Sequence, residues 1–396
     1  MKSAMSISVA VLFFGLLIAI SNFNISFCNG SSYVGCSETE REALFRFKGG
    51  LQDPSNRLVS WNIGEKDCCT WDGVVCDNFT GDVLQLHLRN PLDIFYAEYE
   101  DYERSKLIGR INPSLLDLKH LVYLDLSGND FTASHQIPIF LASLKNLRYL
   151  NLSNSRFVGL IPSQLGNLSN LQYLDFNDYI HMVYVNRLYV ENLNWLSGLS
   201  LLEHLDLSFV NLRKASDCLL DINKLPRLVT LKLPYCEPNR FPLLPVSNYS
   251  SLATLDLRGN DFQGLIPEGL KNLTSLKQLD LSFNNFNSSI PNWIYRFTHL
   301  EYLSLRGNSF RGATLGEIGN MTSLQNLDLS DNDELEGKIL TSWKRFCNLK
   351  SISLSNVNLS QKISEILGIF SGCISVRLES LILGHTQLSA MPFYVL

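Results

Sequence analysis

Residues 252–260 read LATLDLRGN, and the same frame returns as LKQLDLSFN at 276–284, LEYLSLRGN at 300–308 and LQNLDLSDN at 324–332, each 24 residues after the last. An earlier copy, LVYLDLSGN, occupies 121–129. Looser versions begin at Val83, Leu147, Leu171, Leu202, Leu228, Leu349 and Leu378. A fixed period in the twenties means that each block is one unit that cannot bury its apolar side alone and must stack on its neighbours. Such a chain is a curved scaffold that presents a surface. Its length of 396 residues therefore measures repeat number more than domain number.

Within a block, the alternation in L-x-x-L-x-L makes a short strand, with leucines to one face and the x residues to the other. The closing asparagine, Asn129 and its equivalents, can bond its side chain to turn backbone that would otherwise be buried unsatisfied. Phe131, Phe157, Phe262, Phe286 and Phe310 follow and should stack as a spine one coil apart. Then come G-x-I-P, as at 159–162 and 264–267, and L-x-x-L, as in Leu165 and Leu168, a short turn of helix on the outer side. The expected fold is an α/β solenoid: a right-handed leucine-rich-repeat superhelix with a parallel concave β-sheet, short convex helical turns and a disulfide-bonded N-terminal cap. About twelve coils fill residues 83–396. At a strand spacing of about 4.8 Å they give an inner sheet roughly 50–55 Å along its arc.

The chain reads as one that enters the secretory pathway. Lys2 precedes a 12-residue apolar run, Val9 to Ile20, too short for a comfortable membrane span of about 20 residues. Residues 1–28 are thus expected to be a signal peptide cleaved after Cys28, and no later stretch is apolar enough to cross a bilayer. The cysteines that remain form an even set of eight, which suggests disulfides. Cys36, Cys68, Cys69 and Cys76 fall just before the repeats, where a solenoid needs a cap over its first core edge. Cys347 and Cys373 lie about one coil apart, as do Cys218 and Cys236, although Cys236 occupies an asparagine slot where cysteine is an ordinary substitute. Nine N-x-S/T sequons follow Cys28: Asn29, Asn78, Asn151, Asn167, Asn248, Asn272, Asn287, Asn320 and Asn358. They imply a sugared exterior. The net charge of −5, with no run of Lys and Arg, argues against a nucleic-acid partner.

Residues 36–82 form a separate module. Residues 38–48 (ETEREALFRFK) have helical spacing, Asp53-Pro54 breaks it, and Leu58, Trp61 and Trp71 offer large side chains to cover the first repeat. Two coils are oversized. The step from Val83 to Leu121 is 38 residues, with the excess in 93–107 (DIFYAEYEDYERSKL), where three tyrosines sit among five acidic residues. The step from Leu171 to Leu202 is 31, with the excess at 179–189 (YIHMVYVNRLY). Loops of this kind are functional or disordered, and the acidic one could equally be a solvated flap over the cap. Residues 228–250 lose the Phe and G-x-I-P positions and are proline-rich, so the superhelix is expected to bend differently there.

Two stretches go beyond a generic repeat: GLIPSQLGNLSNLQYLD at 159–175, and the cap motif CCTWDGVVC at 68–76. Both resemble the plant-specific class of leucine-rich repeats and its N-terminal domain. The Tyr-rich insert ending at Leu107, then INPSLLDLKH at 111–120 and Ser371-Gly372-Cys373, are similar to receptor-like proteins of the ethylene-inducing-xylanase receptor type. The resemblance implies an N-terminal part of a cell-surface receptor ectodomain, in plant defence, that binds an extracellular peptide, protein or glycan and signals through a membrane receptor kinase co-receptor or adaptor. It also implies a cap paired Cys36–Cys68 and Cys69–Cys76. Such receptors carry more repeats, an island, a closing cap and a membrane helix, whereas this sequence stops mid-repeat at Leu396. A soluble inhibitor of polygalacturonases and a truncated soluble decoy are the alternatives. Location would be the plasma membrane for the receptor and the apoplast for either soluble form.

The binding chemistry should lie in the columns of x residues. One column holds Asp125, Asp175, Asp206, Asp256, Asp280 and Asp328, and L-D-L-S is such common repeat filling that structural or solvated carboxylates are expected. Its neighbour holds Tyr123, Tyr149, Tyr173, His204 and later Tyr302, a ladder of amphipathic rings. Two further columns supply Phe209, Tyr235, Phe283, Arg258 and Arg306, and Tyr and Arg are enriched in binding hot spots. A glycan at Asn151 would obstruct part of this array. No G-x-S-x-G or H-E-x-x-H appears, and carboxylates in register on an open sheet should lack the desolvation that separates acid from base, so no enzyme is expected. No cofactor and no metal site are expected either, since no His/Cys cluster accompanies the cysteines.

Overall fold

The computed structural model describes residues 35–179, 187–215, 218–238, 251–312, 315–386 and 388. The signal segment, Asn29, residues 180–186 of the second oversized coil, residues 239–250 of the proline-rich stretch with Asn248, and the side chain of Cys218 lie outside the described residues.

A single sheet of 13 strands runs the length of the described chain. Strand β1 (Val74–Cys76) belongs to the cap and pairs antiparallel with β2 (Val83–His87). Each later strand joins the preceding coil in parallel and in chain order: β3 (Tyr123–Asp125), β4 (Tyr149–Asn151), β5 (Tyr173–Asp175), β6 (His204–Asp206), β7 (Thr230–Lys232) and β8 (Thr254–Asp256). The series continues with β9 (Gln278–Asp280), β10 (Tyr302–Ser304), β11 (Asn326–Asp328), β12 (Ser351–Ser353) and β13 (Ser380–Ile382). Register is fixed by the central leucine, so Leu124 pairs with Leu150, Leu150 with Leu174, and Leu174 with Leu205. A slip of one residue would turn the leucines to water, which is why the oversized coil between β5 and β6 leaves the pairing intact.

The convex turns are 3-10 helices such as Ser163–Asn167 and Glu268–Asn272, each opened by a proline. The tighter i to i+3 bond closes so short a turn sooner, although Cys218–Ile222 and Cys373–Arg377 are α-helical turns of the same length. Adjacent turns approach closely. A Cβ on Gly198 would stand 2.1 Å from the Gly166 carbonyl oxygen, so those two coils touch backbone to backbone. Phe131 and Phe157 stack at 5.6 Å, and Phe262, Phe286 and Phe310 follow at 6.4 and 5.9 Å; all five are buried.

The asparagines carry the turn that leaves each strand. Asn284 Nδ2 donates to the carbonyls of Leu257, Leu281 and Ser282, and its Oδ1 accepts from the N–H groups of Asn260 and Phe262 on the preceding coil. Asn260, Asn308 and Asn332 repeat the donations to the leucine carbonyls. In the coil of Cys236 the Sγ takes this place, 2.9 Å from the Leu207 carbonyl oxygen.

In the cap, helix α1 (Glu38–Gly49) starts at a capping box between Ser37 and Glu40 and buries Ala43, Leu44 and Phe47. Glu40 also accepts the Val83 N–H at 3.0 Å, tying the helix to the first repeat strand. Trp61 and Trp71 stack at 5.5 Å beneath it. Cys36 is bonded to Cys68, Cys69 to Cys76, and further on Cys347 to Cys373.

The acidic insert is anchored at its C-terminal end, where Tyr102 and Ser105–Leu107 are buried, while Phe95, Tyr96 and Tyr99 stay exposed. Helix α2 (Tyr99–Arg104) buries Tyr102, and the Lys106 side chain is fully buried. Lys106 Nζ donates to Glu103 Oε1 at 2.6 Å and lies 4.9 Å from the centre of the Tyr102 ring. Glu103 in turn accepts from Arg156 Nη2 (2.9 Å), whose Nη1 reaches Asp130 (2.6 Å), so one ionic chain clamps the insert to the next coils. Burial lowers the Lys106 pKa, with Glu103 opposing.

Candidate functional site

The ladder column forms one continuous stack. Ring centres are 4.0 Å apart from Tyr123 to Tyr149, 4.1 Å from Tyr149 to Tyr173 and 4.1 Å from Tyr173 to His204, with interplanar angles of 11–12°. His87 extends it at 4.3 Å from Tyr123. This histidine was missed by the sequence reading, although the frame starting at Val83 places it in the aspartate slot opposite Asp125. Because strands in register hold the rings one above another, ring faces are spent on each other. What reaches solvent is ring edges and hydroxyls, which suit hydrogen bonding better than face-on stacking of a sugar.

The aspartate column is structural on one oxygen. Oδ1 of Asp125, Asp175, Asp206, Asp256, Asp280 and Asp328 accepts the backbone N–H two residues on, at 2.8–3.1 Å. Serines at 127, 208, 282 and 330 add a hydroxyl donor to the same oxygen. The other oxygen faces the ladder: the hydroxyl of Tyr173 donates to Asp175 at 3.2 Å, and that of Tyr302 to Asp280 at 3.3 Å. In β4 the polarity reverses, and Asn151 Nδ2 donates to the Tyr149 hydroxyl.

The expectation that these carboxylates are structural holds, while the expectation that they lack desolvation is corrected here. Asp125, Asp175, Asp206 and Asp280 are all at least 92% buried, because stacked rings on one side and descending turns on the other close over them. Burial first, then the Asp206 carboxylate on the next coil, hold Asp175 well above the usual carboxylate range. Burial also pushes Asp256 up to about 6, with Asp280 and Asp206 adding to it and Arg258 opposing. Burial lowers His204 to about 4 against the pull of Asp206, so the ring is neutral above that pH. Burial raises Tyr123 and Tyr173, and Tyr302 to about 12.

Asp256 therefore makes a testable contribution. Its folded pKa lies above the unfolded value near 4, so its stabilisation is complete below about pH 4 and is lost as pH rises through about 6. Facing it are Arg258 on its own coil, Asp280 on the next, and Lys232 and Asp206 on the preceding two. Asp256→Asn keeps the Oδ1 acceptor and removes the charge. It should raise stability by about 2 kcal/mol at pH 8 and by almost nothing at pH 4. Melting curves at the two pH values that show an equal difference would contradict this.

The remaining candidates separate into two groups. Phe209, buried, and Tyr235 stack at 5.0 Å, and Tyr179 joins Phe209 edge-on to Phe95 of the insert. Both Phe209 and Tyr235 have positive φ, a position where other coils carry Gly128, Gly259 or Gly307. Gly259 is required there, since a Cβ would meet the Tyr235 ring at 2.3 Å. Phe283 repeats the arrangement farther along: exposed, at positive φ, with the Arg306 guanidinium 5.4 Å from its ring centre and paired to Asp331 at 2.9 Å. Arg258 stays with Asp256, at 3.6 Å. Thr230, Thr254 and Gln278 interrupt the ladder, so Tyr302 stands apart from the stack.

The insert stands beside the middle of the ladder. A cavity of about 270 Å³ lies between Leu92–Phe95 and Tyr102 on one side and Tyr149, Asn151, Tyr173 and Asp175 on the other, with Arg89 at its rim. Its residues are polar for the most part, and sequence reading missed it because it needs the insert folded back. Asn151 is buried in this wall, with its amide on Tyr149. Asn78, Asn167, Asn287 and Asn320 are exposed, and Asn272 and Asn358 half-buried.

Residues 105–361 match the family model described as a leucine-rich repeat region, and residues 37–77 that of the leucine rich repeat N-terminal domain. This chain belongs to the leucine-rich-repeat family. It is similar to plant receptor-like proteins. It is 40% identical over 245 residues to receptor-like protein EIX1 of Solanum lycopersicum, covering 60% of this chain and 23% of that protein. It is 46% identical over 133 residues to receptor-like protein EIX2 of the same plant, covering 33% and 12%. The leucine-rich-repeat chain thus spans less than a quarter of the length of these relatives. In structure it is similar to the ectodomain of the Arabidopsis receptor kinase HAESA in complex with an IDA peptide hormone, with a TM-score of 0.69 and 29% identity over 89% of this chain and 53% of that one. The same receptor with the peptide and the co-receptor SERK1 gives 0.68, with 28% identity over 88% and 53%.

Proposed function

We propose that this chain is the ligand-recognition part of a plant cell-surface receptor-like protein that takes an extracellular peptide, protein or glycan and signals through a membrane kinase co-receptor. The observation that carries the reading is the unbroken stack from His87 to His204 beside the insert-lined cavity. It presents a row of polar edges on a rigid sheet, which favours binding over chemistry. Proteins similar to it bind a peptide on such an ectodomain and, in one complex, a co-receptor. Disulfides fit a secretory route, and no helix among the described residues is long and apolar enough to cross a membrane.

The test uses the chain secreted from plant cells and a fungal xylanase as probe, with polygalacturonase as the competing one. Xylanase binding at micromolar or tighter Kd is expected. It should weaken at least tenfold in the Tyr149→Ala, Tyr173→Ala double variant, a loss of about 1.4 kcal/mol or more. Binding of polygalacturonase alone, or xylanase binding indifferent to the double variant, would overturn the reading.

A further inference from the structure

Three of the four rings from Tyr123 to His204 share a habit: the polar atom at the ring tip meets the side chain two residues on. Tyr123 and Tyr173 donate to Asp125 and Asp175, and Tyr149 accepts from Asn151. His204 breaks it. An imidazole is shorter than a phenol, and the buried Nε2 of His204 has no hydrogen-bond partner. Two carboxylates flank the gap it leaves. Metal-ligating atoms of Asp175, His204 and Asp206 all lie within 4.8 Å of one another.

We propose that Asp175, His204 and Asp206 form a binding site for one divalent transition-metal cation, of the zinc or manganese kind, on the concave face. The donor set is one imidazole nitrogen and two carboxylate oxygens, which suits these ions. Calcium would want six to eight oxygens, and magnesium a mostly hydrated octahedron. Ligand atoms around one such ion stand about 3.4 Å apart at bond lengths near 2.1 Å, so the three tips must close by roughly 1 Å, within reach of small χ changes.

The surroundings are built to orient the ligands rather than to compete for them. The Asn177 N–H and the Tyr173 hydroxyl hold Asp175, while the Ser208 N–H and hydroxyl hold Asp206 through Oδ1 and leave Oδ2 to the ion. The His204 ring is fixed by its 4.1 Å stack on Tyr173. Supporting contacts of this kind raise metal affinity. One group competes: Lys232 Nζ, on the next strand, lies 3.6 Å from Asp206 Oδ2. Its side chain is 39% exposed, so it can swing to solvent when an ion enters. This inference does not rest on the receptor reading, since the ion would bind whatever the surface recognises.

The experiment is isothermal titration of the secreted chain with Zn2+, Mn2+ and Mg2+, and with methylammonium as a monovalent cation of ammonium type. One Zn2+ or Mn2+ per chain is expected, at micromolar Kd, with Mg2+ at least tenfold weaker. His204→Phe keeps the stacked ring and removes the nitrogen. Asp206→Asn keeps the Oδ1 acceptor and removes the charge. Each should weaken binding at least tenfold without lowering the melting temperature of the metal-free chain, and Lys232→Met should tighten it. Cobalt substitution should give a visible d–d spectrum that His204→Phe abolishes. Absence of a stoichiometric ion, binding unchanged by His204→Phe, or methylammonium bound as well as zinc would each overturn the proposal.

Discussion

Asn284→Ala should remove about 4 kcal/mol of stability from the coils around β9. The side chain is 4% exposed and makes five hydrogen bonds, which are not of equal weight. The leucine carbonyls have second donors: Asn260 Nδ2 also reaches the Leu257 oxygen, and Asn308 Nδ2 the Leu281 oxygen. Ser282 likewise keeps the Gly259 N–H. The N–H groups of Asn260 and Phe262 lose the carboxamide oxygen they share, and each buried donor left without an acceptor costs about 1–3 kcal/mol. The void left by the amide adds to this. In a stacked array such a loss weakens one interface and its neighbours first, so unfolding should lose cooperativity. Urea unfolding followed by tryptophan fluorescence and by backbone circular dichroism should then give separated transitions. A loss below about 1 kcal/mol would mean that water replaces the asparagine at no cost.

Glu103→Ala should release the insert. Lys106 is fully buried, and its ammonium would lose the carboxylate 2.6 Å away. Leaving a charge buried without its partner costs about 3–5 kcal/mol. That cost has a ceiling, because the lysine can shed its proton. At pH 7.5, three units below a free lysine near 10.4, neutralising it costs about 4 kcal/mol. The sign follows: burial already sets the folded pKa of Lys106 below its unfolded value, and removal of Glu103 lowers it further. The destabilisation should therefore be greatest at neutral pH and shrink as pH approaches 10. Hydrogen exchange should show amides of 99–107 opening while those of β9 to β11 keep their protection. The pair Glu103→Gln with Lys106→Met should restore near-normal protection, since an apolar replacement of a buried pair is often neutral. A single variant that left exchange at 99–107 unchanged would show that the ionic chain does not hold the insert.

The repeat was legible because the same physical demand recurs in each coil: leucines at 255, 279, 303 and 327 must share one core, and the asparagines must close the turn. The columns followed from the frame, and they brought Tyr123, Tyr149 and Tyr173 together on paper as they are in space. Three things were not legible. Ring stacking depends on side-chain torsions, which a frame does not specify, so the tyrosines read as contact area rather than as edges. Burial of Asp175 depends on its neighbours Tyr173 and His204 closing over it, a property of the stack and not of any one coil. The anchoring of Lys106 joins residues 103, 106, 130 and 156 across three coils, and no local pattern announces that an isolated lysine points inward.

The stack of near-identical rings also behaves as a ruler with unnumbered divisions. A molecule bonded to the edges of Tyr123 and Tyr149 would find almost the same surface after sliding one coil to Tyr149 and Tyr173. Strand spacing of about 4.8 Å against about 3.4 Å per residue of an extended peptide makes most intermediate positions poor fits, but it does not choose among whole-coil shifts. Position must be read from the ends, where His87 caps the stack from the neighbouring column, His204 replaces a phenol, and the insert lies to one side. The irregular coils are the numerals on the ruler.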